Sequence, residues 1–193
     1  MIDVLGKLFG SQTRIKLLRL FLFNPRSVYT TPQIAQHSRV PARTVRRELA
    51  VFLAAGLIKR AAVRRTGARY MLNGDFTYLE ALQNLLINAP SRSKDIAARL
   101  RGTGALKCII VSGIFAGEWD GRLDMLLVGD RINERKLRAR IRTLEAELGK
   151  ELRYALLGSE DFIYRLTMND RLVRDVLDYT HEVIFDRLQI GIS

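Results

Sequence analysis

Eight cations and two threonines between positions 31 and 69 are the residues whose types could do chemistry in this chain. Arg43, Thr44, Arg46 and Arg47 fall within five residues of one another. Thr31 precedes them, and Lys59, Arg60, Arg64, Arg65 and Arg69 follow. Guanidinium groups stay charged at any relevant pH and present a rigid fork of donors. Such a set moves no protons; it binds anions, phosphate oxygens above all.

The net charge of +12 makes the same point by where it sits. Residues 1–75 carry 14 Lys+Arg against 3 Asp+Glu, a net of +11; residues 76–193 carry 18 against 17, a net of +1. An excess confined to one small part of a chain points to a polyanion rather than to solubility alone.

The elements that must position these side chains follow from apolar spacing. Ser11 is a helix cap, and Ile15, Leu18 and Leu22, with Leu17 and Phe21 beside them, make a buried face. Asn24-Pro25 ends that helix. Thr31 caps a short second helix with Pro32 at its first position. Ile34 and Ala35 point inward, and the helix stops near His37-Ser38. Arg39-Val40-Pro41 is a turn, with Val40 plugging the corner. A third helix runs from about Ala42 to Ala55, burying Val45, Leu49, Phe52 and Leu53. Gly56 closes it, since glycine tolerates a left-handed backbone. Residues 57–63 form a strand, 64–67 a turn, and 68–72 the returning strand.

Residues 11–73 resemble the winged helix-turn-helix of small prokaryotic transcription regulators. Ile34-Ala35, Val40, Thr44-Val45, Leu49, Ala55-Gly56-Leu57-Ile58, Gly67 at the wing tip and Tyr70 carry the resemblance. It implies that Arg43, Thr44, Arg46 and Arg47 enter the major groove of double-stranded DNA. Thr31, Lys59, Arg60, Arg64, Arg65 and Arg69 then hold phosphates or the neighbouring minor groove. Five to seven neutralised phosphates give a slope of log affinity against log salt of roughly −5 to −6. Such modules also serve in protein contacts; the arginines argue against that reading.

Phe76, Leu79, Leu82, Leu85 and Leu86 line a further helix, opened at Gly74 or Asp75. Within a connector of residues 76–104 it either dimerises or packs on its own chain. Beyond it, strands at 106–112, 122–128, 152–157 and 181–186 alternate with helices capped by Asn133, Ser159 and Asp170. The expectation is an α+β chain in three parts: a DNA-binding domain over 1–75, the connector, and a small mixed sheet with flanking helices over 105–193.

The segment from Val111 to Asp130 resembles the signature loop of the minimal nucleotidyltransferase family, and the segments after it, among them Tyr154–Leu157 and Glu160-Asp161-Phe162, fit the same frame. In that family a Gly-Ser turn cradles nucleotide phosphates, and two aspartates two residues apart hold Mg²⁺. Here Gly-Ser is replaced by Ser112-Gly113, Gly117-Glu118 match, and the paired aspartates become Arg122 and Asp124. A cation in a metal position repels Mg²⁺, so the resemblance implies a degraded site without catalytic residues, metal or cofactor. Ser112, Gly113, Gly117, Arg122 and Asp124 would then outline a vestigial pocket for a nucleotide or another anionic effector. Arg122 is expected to pair with Asp124 or Glu118, or to bind an anion.

The remaining composition narrows the classes. No run of about 18 uncharged apolar residues exists to span a membrane. The first residues lack the pattern of a signal peptide. Cys108 stands alone, as in a reducing cytoplasm. His37 and His181 have no ligand spacing. The sequence therefore points to a cytoplasmic DNA-binding regulator, expected as a homodimer because one recognition helix reads few base pairs. The rival is an active nucleotidyltransferase, antitoxin-like, with a DNA-binding arm.

Overall fold

Caps and apolar stripes place most of the helices. In the computed structural model, which describes residues 4–61, 67–87, 93–118 and 121–191, the fold is mixed α+β with two small sheets. It divides into two units, residues 1–87 with 142–151, and residues 88–141 with 152–193. Residues 76–87 of the expected connector thus group with the first unit and 88–104 with the second.

The first unit opens with a short helix α1 (Val4–Leu8) that the sequence pattern does not announce. Ser11 Oγ accepts the Arg14 amide at 3.1 Å and starts α2 (Gln12–Leu22). A strand β1 (Val28–Thr30) follows, then α3 (Thr31–Ser38) and α4 (Ala42–Ala54). The cap of α3 is Thr30 rather than the expected Thr31. The Thr30 hydroxyl accepts the Gln33 amide, and the Gln33 side chain accepts the Thr30 amide, a reciprocal capping box. Pro32 therefore sits at the second helical position.

Between α3 and α4 the chain turns on Arg39, whose φ of 53° is left-handed. The Val40 amide reaches back to Ala35 O at 3.1 Å, and Val40 is buried in the corner as expected. The end of α4 repeats this geometry with a residue better suited to it. Gly56 has φ 75°, its amide meets Leu53 O at 3.0 Å, and the Leu57 amide meets Phe52 O at 3.0 Å. This double bond closes a helix most cheaply when the left-handed residue is glycine.

β2 (Ile58–Arg60) and β3 (Arg69–Leu72) pair antiparallel, Ile58 opposite Leu72. β1 pairs with the other edge of β3, giving the order β1-β3-β2. The wing tip at 62–66, with Arg64 and Arg65, lies outside the described residues. Ile15, Leu18, Phe21, Ile34, Val45, Leu49, Phe52 and Leu72 share one core. Phe21 meets Tyr29 and Phe52 edge to face, with ring centres 5.9 and 6.4 Å away. α5 (Leu79–Ile87) starts later than Gly74 or Asp75. Asn73 forms turns with the amides of Asp75 and Phe76 and postpones the helix.

The second unit begins with α6 (Ser93–Arg99). Its sheet runs in the order β6-β5-β4-β7. β4 (Ala105–Val111) and β5 (Met125–Asp130) are antiparallel, and β6 (Tyr154–Leu157) runs parallel to β5. β7 (Glu182–Asp186) lies antiparallel against the far side of β4. β5 is buried up to its last residue, and β4 is buried from Cys108 onward. β5 starts three residues later than the expected position 122.

α7 (Glu134–Leu148) is capped by Asn133, whose side chain accepts the Lys136 amide at 3.0 Å. α8 (Ser159–Thr167) has Gly158 at its cap position, not Ser159. Asp130, at the end of β5, does the capping from outside: it accepts the Ser159 amide at 3.0 Å and its hydroxyl at 2.8 Å. α9 (Arg171–Leu177) is capped by Asp170 as expected. Cys108, Ile110, Leu126, Val128, Phe162 and Val173 share a core in this unit.

Candidate nucleic-acid interface

α4 carries its charge on the face that the core leaves open. Val45, Leu49 and Phe52 are buried, while Arg43, Arg46 and Arg47 are exposed and Thr44 is half-buried. These three arginines meet no acidic side chain among the described residues. Pro41 precedes the helix and offers no side-chain cap, so the first-turn amides add to the positive end of the helix.

One acid on α4 does the opposite work. Glu48 is 2% exposed. It accepts Arg14 Nε at 2.9 Å and the Ser11 hydroxyl at 3.2 Å. Arg14 also donates to Phe9 O at 3.0 Å. This pair ties α4 to the start of α2, and it fixes which face of α4 is turned outward. Glu48 lies three residues after Val45, on the apolar stripe. That was the sequence signal for a buried, partnered acid, and it went unread.

The remaining expected contacts divide. Lys59 and Arg60 are exposed on β2, and as neighbours in a strand they lean to opposite faces of the hairpin. Thr31 is half-buried in the first turn of α3. Arg69 is half-buried, with its Nε shielded from solvent. His37 is exposed and sets its ring against Tyr29, 5.6 Å between centres.

The loop before β5 is built around Asp124, which is fully buried. Arg153, the residue before the parallel neighbour β6, donates Nε to Oδ2 at 3.0 Å and Nη2 to Oδ1 at 2.8 Å. The Arg153 amide adds a bond at 2.9 Å, and the Ile114 amide another at 3.2 Å. Both carboxylate oxygens are therefore occupied by donors of the chain itself. Arg122, expected to pair with Asp124 or Glu118, turns to Asp175 on α9 instead, with Nη1 at 3.1 and 3.2 Å from its two oxygens. Residues two apart here do not converge on one point, because Asp124 is anchored inward by Arg153.

The other expected pocket residues are equally committed. The Ser112 hydroxyl donates to Leu123 O at 2.8 Å and is buried. Gly113, with φ 54°, begins a single 3₁₀ turn, Gly113–Ala116. A methyl group there would meet the Asp124 Oδ1 atom at 2.4 Å, so only glycine lets the carboxylate in. Gly117 ends that turn with φ 82° and open space beside it. The amides of Ser112, Phe115, Gly117 and Glu118 all bond to carbonyls within this loop or to Asp124 O. Trp119 and Asp120 lie outside the described residues.

Two further groups complete the electrostatics of this unit. The Ser159 amide and hydroxyl hold the Asp130 carboxyl below its ordinary range. Burial, helped by nearby Asp186, pushes the Cys108 thiol up to about 11. A buried thiol of that kind is inert at neutral pH.

Neither a family model, nor a curated protein, nor a solved structure matches this chain. No helix among the described residues is long and apolar enough to cross a membrane.

Proposed function

We propose that the chain is a double-stranded DNA-binding transcription regulator. The first unit acts as a winged helix-turn-helix, with α3 and α4 as its helix pair and β2-β3 as its wing. The observation that carries this reading is the exposure of Arg43, Arg46 and Arg47 on α4 with no acidic partner among the described residues. Arginines kept for structural pairing look different, as Arg14 with Glu48 illustrates. Arg43, Thr44, Arg46 and Arg47 read base edges, while Lys59, Arg60, Arg64 and Arg65 hold the backbone.

The second unit serves as a nucleotidyltransferase-like frame that has lost its chemistry. Its support is the occupancy of Asp124 by Arg153 and Ile114. A metal ion would have to displace a bidentate guanidinium, with Arg122 two residues away. The rival reading, an active nucleotidyltransferase, needs that pair to separate.

The division of labour is tested by binding on a preferred and a scrambled duplex. Arg47→Ala should erase the preference between them, whereas Arg65→Ala should weaken both alike. Equal losses for the two variants would refute the assignment of roles, and absence of binding to any duplex would refute the function.

A further inference from the structure

The charge of the second unit is as segregated as that of the first. Residues 131–141 hold five cations and one acid, leaving the rest of the unit, 88–130 with 152–193, with 11 Lys+Arg against 12 Asp+Glu. Four of the five sit on the first half of α7. Leu137 and Ile141 turn into the fold, and Arg135, Lys136, Arg138 and Arg140 are all exposed. They form two rows, Arg135 with Arg138 and Lys136 with Arg140, since residues three and four apart are neighbours on a helix. Exposed Ala139 lies between the rows.

Two arginines on the other helices of this unit are neutralised locally. Arg165 meets Asp161 at 2.9 Å, and Arg174 meets Asp178 at 2.9 Å, each four residues away. On α7 only Arg138 has such a partner, Glu134, in a pair fully open to water. Arg135, Lys136 and Arg140 have none among the described residues. A helix of this length gains a few tenths of a kcal/mol from each opposite-charge pair and loses a similar amount from each like-charge pair. Stability thus argues against this arrangement, whereas a polyanion would account for it.

We infer that the first half of α7 is a second DNA-backbone contact surface, outside the winged-helix unit and blind to sequence. It rests on the proposed function only in the choice of duplex DNA as the polyanion. Between positions 135 and 140 these cations are interleaved only with Leu137 and Ala139, without the Asn, Gln, Ser or Thr side chains that share base-edge reading on a recognition helix. Its partner is therefore the phosphate backbone.

The test is the salt dependence of full-chain binding to a 30-base-pair duplex of random sequence. Four additional phosphate contacts, at about 0.9 each, steepen the slope from the −5 to −6 of the first unit's contacts to about −9 to −10. The combined variant Arg135→Gln, Lys136→Gln, Arg138→Gln and Arg140→Gln should return it to about −5 to −6. Wild type should then lose about 150-fold more affinity than the variant between 50 and 200 mM salt. Preference between a selected and a scrambled duplex should stay unchanged. The lighter variant Lys136→Gln with Arg140→Gln, which leaves the Glu134–Arg138 pair intact, should give about half the change, with circular dichroism unaltered. A wild-type slope that neither variant alters overturns the inference while leaving the proposed function standing. Failure of the wild type to bind any duplex overturns both.

Discussion

Replacing Arg153 with methionine isolates the contact on which the second unit's loop depends. The substitution keeps the stem of the side chain and removes its charge. Asp124 is then left fully buried, with only the amides of Arg153 and Ile114 still donating to it. Breaking a buried pair from one side costs about 3–5 kcal/mol because an uncompensated charge stays behind. Arg153 is 38% exposed, and two amides remain, so a loss of about 2–4 kcal/mol is expected. Adding Asp124→Asn should recover part of it, because a neutral amide tolerates burial better than an orphaned carboxylate. The assay is urea unfolding followed through Trp119, the only tryptophan of the chain, for wild type, both single variants and the double variant. A coupling energy above about 1 kcal/mol between the two sites supports the ion pair as the organiser of the loop. A loss below about 0.5 kcal/mol in Arg153→Met would mean that Asp124 is satisfied without the guanidinium, and the reasoning fails.

Three other outcomes follow from single residues. Gly113→Ala should destabilise by about 2 kcal/mol or more, because strain at positive φ adds to the clash with Asp124; Gly117→Ala, with open space around it, should cost only the strain of about 1–2 kcal/mol, and comparing their urea midpoints checks the difference. Glu48→Gln should lower stability by about 1–3 kcal/mol through the loss of its charged bonds to Arg14 and Ser11, read from the urea midpoint. Cys108, with its thiol pushed up to about 11, should resist alkylation in the native protein at pH 8 and react once the chain is unfolded in urea; rapid native labelling would contradict its burial.

Local chemistry was legible wherever a side chain answers a backbone group a few residues away. Ser11, Asn133 and Asp170 cap the helices expected of them. Even the misplaced cap at Thr31 had its correction in view: Thr30 and Gln33 stand three residues apart, the spacing of a capping box, and Pro32 drew attention one position too far. β1 was not legible, because three residues carry no period and their partner strand comes some forty residues later. Arg153 was legible only as part of a strand, since its meeting with Asp124 across a helix leaves no local trace. Asp130 capping α8 from another strand belongs to the same class. The basic face of α4 was legible as composition, but its orientation depends on Glu48, a polar residue on an apolar stripe.

The most direct test of the central claim is selection of bound duplexes from a random DNA pool by the full chain, run beside Arg47→Ala. A recurrent sequence enriched by the wild type and lost in the variant is the predicted result. Recovery of duplexes without any shared sequence, or of none at all, would contradict the assignment of α4 as a reader of DNA.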